Sequence, residues 1–222
     1  MTYKLGPRPE SPAEIEAVLD DLRKASTGTL GHLTDFGFAS GLAPLCRPAK
    51  AVGLAFTVRI PDLDGTAVHY ALSLARRGEV VVVDTSGQQA RAAWGGVVNH
   101  AAIRAGIAGV VIDGPVTDWE EITASSLPVW CRGTTSVTAR AITLEGAVEV
   151  PVQVGGAVVR PGDIVFADSD GVFFIPPDGA AELAKALLQR EAREPQIKRR
   201  LDAGEQLIDI NGARARFEEN IA

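Results

Sequence analysis

The chain has 222 residues, 46% of them hydrophobic, and a formal net charge of −6. That length and apolar content suffice for one sizeable core, and the acidic balance excludes the basic footprint that tight nucleic-acid binding needs. No apolar run reaches the roughly 18 residues of a membrane span and no signal-peptide order opens the chain, so the expectation is a cytoplasmic protein that binds neither nucleic acid nor membrane.

Residues 1–10 contain Gly6, Pro7 and Pro9 and read as an extended arm. Ser11-Pro12-Ala13-Glu14 then has the form of a capping box, and Ile15, Val18, Leu19 and Leu22 give the helix after it an apolar face. Thr27-Gly28-Thr29-Leu30-Gly31-His32 is a second helix start. Over residues 50–60, Val52, Leu54, Phe56, Val58 and Ile60 share one parity, the mark of a strand. A loop at 61–65 leads to a helix from His69 to Arg77, ended by Gly78. A strand at 80–84, a helix at 96–105 and a strand at 108–112 follow in βαβ order. Further strands are expected at 129–131, 141–143, 148–150, 152–154, 157–159, 164–168 and 172–175. From Asp178 the chain is charged and helical, with a second helix to about Ala203 ahead of Gly204. The reading is one α/β domain over 1–222, with an N-terminal arm (1–10) and a C-terminal helical extension (178–222). Cys46 and Cys131, without a metal-binding pattern around them, read as reduced thiols.

The chemistry gathers at two strand ends. Val110-Val111-Ile112 ends at Asp113, a Gly-Pro turn follows, and Asp118 stands where a helix begins. Upstream, Val80 to Val83 end at Asp84, and Trp94-Gly95-Gly96-Val97-Val98 opens another helix. Strand ends that deliver polar groups to helix starts build cation and substrate sites. Asp118 reads either as the N-cap of its own helix, with Glu121 at the third position, or as a carboxylate for a hard divalent cation. The Gly95-Gly96 pair reads either as a tight turn or as a backbone cradle for an anion. Arg91 is a candidate anion holder or a solvated loop residue. His32 is a candidate general base or metal ligand, or an ordinary polar residue.

Four stretches carry a resemblance: Gly78 to Asp84, the Trp94-Gly95 loop, Gly109 to Asp118, and Val154-Gly155-Gly156 through Val159-Arg160-Pro161-Gly162-Asp163 to Asp168-Ser169-Asp170-Gly171-Val172. In this order, over about residues 25–205, the chain resembles the RraA-like family. That family includes regulators of ribonuclease E activity and class II pyruvate aldolases acting on 4-hydroxy-4-methyl-2-oxoglutarate. The resemblance implies a layered β/β/α fold with N-terminal helices and a charged C-terminal helical tail. It also implies a homotrimer or homohexamer with sites between subunits, a divalent cation (Mg²⁺, or Mn²⁺) and a small carboxylate substrate. It places the metal on Asp118 and the substrate's carboxylate on the backbone of Gly95, Gly96, Val97 and Val98. Taken with the residue readings, the catalytic candidates are Asp118, Thr117 and His32, and Thr117 and Arg91 are further substrate-binding candidates.

Three positions depart from the aldolase pattern. Thr117 stands where the aldolases have arginine, Gly96 where they often carry an acid, and His32 where the early motif has an acid. Threonine offers one neutral hydroxyl in place of a permanently charged fork. Glu191 and Glu194 lie in the region from which family members send a glutamate into a neighbouring subunit. The function expected is a divalent-metal-dependent lyase of aldolase or decarboxylase type, acting on a small oxo or hydroxy carboxylic acid through a metal-stabilised enolate. The alternatives are a non-catalytic regulatory protein of the ribonuclease E regulator type, or a metal-dependent isomerase or hydrolase of sugar-derived acids.

Overall fold

The computed structural model describes residues 3–61 and 63–221. Met1 and Thr2 of the arm, Asp62 of the 61–65 loop and Ala222 lie outside the described residues. The chain begins with β1 (Tyr3–Leu5), α1 (Ile15–Lys24), α2 (Thr27–Leu30), β2 (Ala43–Pro44) and the long β3 (Lys50–Arg59). α3 (Thr66–Leu74) follows β3, and two strand–helix units come next: β4 (Val80–Asp84) with α4 (Gly96–Ala105), and β5 (Gly109–Ile112) with α5 (Trp119–Thr123). Then come β6 (Val129–Cys131), β7 (Gly146–Val148), β8 (Val152–Val154), β9 (Ala157–Val159), β10 (Ile164–Asp168) and β11 (Val172–Ile175). The tail holds α6 (Ala180–Glu191), α7 (Glu194–Asp202), α8 (Leu207–Ile210) and α9 (Arg214–Glu218).

Four successive valines set the centre of the fold. β-branched side chains suit extended backbone, and a run without a polar position has to be covered on both faces. Val80 to Val83 are all fully buried, and they divide by parity. Val81 and Val83 pack with Phe56, Val58 and Ala102 under α3 and α4. Val80 and Val82 pack with Trp130, Val154 and Val165 on the other face. Around β4 the sheet runs β1-β7-β3-β4-β5-β6-β2, with β3 to β6 parallel. β3 serves three partners: Ala55–Arg59 lie beside β4, Val58 and Arg59 also pair antiparallel with β7, and Lys50–Leu54 pair antiparallel with β10, which pairs with β11. A third layer closes the far side, where Leu19 and Leu22 of α1 and Leu187 of α6 meet Phe166 and Ile175. The result is a mixed α/β structure of packed sheets between helices.

Several elements differ from the sequence expectation. Ser11 does not cap α1: Ile15 N–H donates to the Pro12 carbonyl at 3.1 Å, so Pro12 to Glu14 form a turn and the helix starts at Ile15. The helix expected over 69–77 is Thr66–Leu74, because the Asp64 carboxylate receives Thr66 N–H at 2.9 Å and starts it early. Residues 141–143 are not a strand. Their backbone turns toward the buried Asp64, which accepts from Ile142 N–H at 3.4 Å and Leu144 N–H at 2.6 Å. The strand expected at 148–150 ends at Val148, since Glu149 takes a φ of 54°. Among the described residues, no helix is long and apolar enough to cross a membrane.

Candidate functional site

The strand order places the loops after β3, β4 and β5 side by side at the carboxyl ends of parallel strands, where α/β folds gather ligands. A cavity of about 170 Å³ opens there, lined by Gly95, Val97, Val98, Thr117 and Asp118. The start of α4 is its floor.

Asp118 is held in the left-handed region, at φ 57° and ψ 47°. A residue with a Cβ occupies that region at a cost, although aspartate tolerates it better than most. Its side chain makes no bond to the start of α5. Instead Oδ2 accepts Gly96 N–H at 2.8 Å and so caps α4, the neighbouring helix. Oδ1 has one weak contact, the Thr117 hydroxyl at 3.4 Å. Of the two sequence readings, capping of its own helix is therefore not what this aspartate does. One carboxylate oxygen is committed to α4 and the other is left at the cavity.

The two glycines are needed for close approach, not for an unusual φ. A Cβ on Gly95 would stand 2.7 Å from both Asp118 Oδ2 and Thr117 Cγ2. A Cβ on Gly96 would stand 2.1 Å from Glu121 Oε2. Glu121, expected only as a partner in a capping box, thus lays a second carboxylate against the first turn of α4. That position is favourable beside the positive end of the helix dipole. Since Gly96 N–H is taken by Asp118, the donors left for an incoming anion are the N–H groups of Val97 and Val98, which no carbonyl or side chain caps among the described residues. Behind the turn, buried Trp94 donates to Asn99 Oδ1 at 3.3 Å and Asn99 donates to Ser125 at 3.0 Å, tying α4 to the end of α5.

The other candidates lie elsewhere. Arg91 donates to the Thr138 carbonyl at 3.2 Å and is not part of the cavity wall. His32 is exposed on the turn after α2 and does not line this cavity within the chain. Thr27 of the same motif ties α2 to the end of β10: its N–H donates to Asp168 Oδ2 at 2.7 Å, and its hydroxyl donates to Asp168 Oδ1. Glu191 accepts Ser26 N–H at 2.6 Å, and Glu194 pairs with Lys198 at 3.4 Å. The strand-end acids are likewise engaged. Asp84 accepts from Ser86 N–H at 2.7 Å, and Asp113 accepts from Gly155 N–H at 2.8 Å and pairs with Arg132.

Two ionisable lining residues escaped the sequence reading, His69 on α3 and Arg140 on the segment before β7. Neither sits in a local motif. Arg140 arrives through backbone bonds, its N–H donating to Leu63 O at 2.7 Å and its carbonyl accepting from Gly65 N–H at 2.8 Å. The intervening Asp64 fixes this wall. Burial opposes its charge, but hydrogen bonds from Thr66, Tyr3 and Leu144 outweigh that and hold its carboxyl well below the usual range.

The donor set suits a hard divalent cation of the Mg²⁺ kind, which binds through one or two carboxylates and keeps several waters. Asp118 Oδ1 supplies one such oxygen, and Glu121 stands one helical turn away along α5. No group of three or more His, Cys, Asp or Glu converges among the described residues, so a protein-only cage is not built here.

Asp118, in the left-handed region beside the start of α4, lines a small cavity at the carboxyl ends of parallel strands in an α/β fold. The family model described as RraA-like: Aldolase/RraA matches residues 17–174, and the chain belongs to that family. It is 35% identical over 191 residues to a Halalkalibacterium halodurans protein provisionally named a 4-hydroxy-4-methyl-2-oxoglutarate aldolase, covering 85% of this chain and 90% of that one. It is 32% identical over 171 residues to Protein DlpA of Legionella pneumophila, covering 75% of this chain but only 28% of that longer protein. Among solved structures it matches Streptomyces coelicolor RraAS2, described as an unusual member of the RNase ES inhibitor RraA protein family. That match has a TM-score of 0.74 and 28% identity, and covers 87% of this chain and 98% of the other.

Proposed function

We propose that this chain is a divalent-cation-dependent lyase of small oxo or hydroxy acids that breaks the carbon–carbon bond between the α and β carbons of a keto group, so that the electron pair is delocalised onto the keto oxygen as an enolate. The observation that carries the reading is Asp118, held left-handed so that Oδ2 caps α4 while Oδ1 is left at the cavity. The aldolase name of the Halalkalibacterium relative supports the reaction class.

In this reading Asp118 Oδ1 holds the cation, with Glu121 able to accept from its waters. Mg²⁺ or Mn²⁺, when bound, supplies a Lewis acid for the negative charge that develops on the keto oxygen. The N–H groups of Val97 and Val98 take the substrate's carboxylate, favoured by the helix dipole. Gly95 and Gly96 let Asp118 and Glu121 come close to that turn, which fixes the carboxylates before substrate arrives and lowers the reorganisation needed in the reaction. Val97, 85% exposed, and Trp119, 48% exposed, stand close to this site as bare apolar surface. They support a trimer or hexamer in which a neighbouring copy covers it. Light scattering should then give a mass well above the 23.3 kDa of one chain.

A panel of oxo and hydroxy acids, screened with Mg²⁺ or Mn²⁺ while pyruvate, CO₂ and substrate loss are followed, tests the reaction. The expected outcome is turnover of at least one acid that stops with EDTA. Substrate loss indifferent to EDTA, or no turnover of any acid, would overturn the lyase reading.

A further inference from the structure

A second cavity, of about 230 Å³, opens at the other end of the sheet, where β4 begins beside Ala55 of β3. The N-terminal arm forms one wall: Gly6 N–H donates to Val148 O at 2.9 Å, and Arg8 and Glu10 follow along the cavity. Glu149 lines it from the end of β7, with only 4% of its surface exposed. Its backbone is held in the left-handed region, at φ 54°, with its N–H donating to Thr57 O at 2.8 Å. Its Oε2 is buried and has no hydrogen-bond partner among the described residues. A strained backbone, a buried carboxyl and an unpaired oxygen are three costs at one residue.

Arg8 does not offset them. Its Nε stands 3.8 Å from Glu149 Oε1, beyond hydrogen-bond reach. Its other donors go to Leu74 O at 2.8 Å and to Glu79, and its guanidinium lies over the Phe56 ring. With Arg8 and Glu79 paired, the charged groups left along the cavity are Arg76 against Glu10, Glu149 and Asp178, so the balance favours a cation. Glu149 is the buried one, while Glu10, Arg76 and Asp178 are exposed. The cation is not a metal ion, since no group of three or more His, Cys, Asp or Glu converges among the described residues. An ammonium, a compact charge with three donors, suits a single carboxylate. The terminal torsion of a glutamate is broad and two-fold, so a turn of the carboxyl presents Oε2 to the space the side chain lines. The cavity is smaller than the sites that take drug-sized ligands, so the ligand is a small one.

We propose that this cavity binds a small organic amine whose ammonium group donates to the Glu149 carboxylate. The site lies at the opposite end of the parallel strands from Asp118 and does not rest on the lyase reading. Binding carries a proton signature. Burial pushes Glu149 up to about 7, against the pull of Arg8 and Arg76 and with the help of Glu79. An ammonium requires the ionised carboxylate, so at pH 6 its arrival expels the Glu149 proton to solvent, and at pH 8 there is little proton to expel. The ionised fraction rises about tenfold from pH 6 to pH 8, and the affinity rises with it.

The test is calorimetric titration of the full chain at constant ionic strength with 1,4-diaminobutane, and with 1,4-butanediol as the uncharged analogue of similar shape. The diamine should bind and the diol should not. Diamine affinity at pH 8 should exceed that at pH 6 by about tenfold. At pH 6, titrations in two buffers of different ionisation enthalpy should show nearly one proton released per amine bound. Glu149→Gln should weaken the diamine at pH 8 by at least about tenfold, the value of a charge-assisted hydrogen bond, and abolish the proton release. Glu10→Gln with Asp178→Asn, both at exposed positions, should weaken it by less, and Asp118→Asn should leave it unchanged. The proton count is read in wild type, so the test does not depend on how any variant folds. Absence of diamine binding at pH 8, equal binding of the diol, an undiminished affinity in Glu149→Gln, or binding at pH 6 without proton release would overturn the proposal.

Discussion

Replacing Asp118 by glycine, alanine and asparagine separates its capping bond from its backbone strain. Any residue without a side-chain acceptor frees Gly96 N–H, now bonded to Oδ2 at 2.8 Å, and loss of such a cap costs roughly 0.5–2 kcal/mol. Alanine also has to hold φ 57° without the local bonding aspartate offers, which adds on the order of 1 kcal/mol. Glycine adopts that conformation freely and avoids the second cost. Asparagine keeps both an acceptor oxygen and tolerance of the left-handed region. The expected order of stability is therefore wild type and Asp118→Asn together, then Asp118→Gly, then Asp118→Ala, with a spread of about 1–3 kcal/mol from first to last. Urea denaturation reads this as midpoint shifts of roughly 0.5–2 M. If the alanine variant were as stable as the glycine variant, the strain would not exist. If both matched wild type, Asp118 would not be holding α4.

Burial pushes Glu149 up to about 7 from an ordinary 4.5, against the pull of Arg8 and with the help of Glu79. The folded state then binds this proton more tightly than the unfolded chain, so the stabilisation is complete below about pH 4.5 and is lost as pH rises through 7. Glu149→Gln should remove that decline and be the more stable protein at pH 8 by up to roughly 3 kcal/mol, and urea midpoints that fall in parallel for both proteins between pH 5 and 8 would contradict it. Asp64 behaves in the opposite sense. Its carboxyl is held low, so its contribution is present above the usual carboxylate range and is lost as pH falls through it; Asp64→Asn should cost about 1–3 kcal/mol at neutral pH and flatten the acid limb of thermal unfolding. Gly95→Ala should displace Asp118, because its Cβ would stand 2.7 Å from Oδ2, and Mn²⁺ titration should show weakened binding in a protein that still folds.

How far the fold can be read from the sequence depends on the range of the forces that decide each element. Val80 to Asp84 and Gly96 to Ala105 stand where their local patterns put them, a β-branched run and a glycine-led helix start. The Ala141–Thr143 strand fails for the opposite reason: its donors turn to Asp64, nearly eighty residues away, whose demand no local pattern announces. The site divides in the same way. Asp118 and the two glycines are legible from strand-end position and glycine spacing, but the reason for the glycines is contact with Thr117, Asp118 and Glu121. His69 and Arg140 come together only through the bridge between Asp64 and Arg140, so no motif marks them. His32 and Arg91 are motif neighbours whose side chains the fold does not bring to the Asp118 cavity within one chain.

The central claim is that Asp118 holds the cation on which turnover depends. Product release by wild type and by Asp118→Asn, measured against increasing Mn²⁺ with a substrate found in the acid screen, tests it most directly. Asparagine keeps the shape and the acceptor for Gly96 but loses the charge. The account predicts saturable Mn²⁺ activation in wild type and, in a variant of wild-type stability, activity lower by at least about a hundredfold, the cost of removing a strong charge interaction from the transition state. Equal Mn²⁺ activation of the two proteins would contradict it.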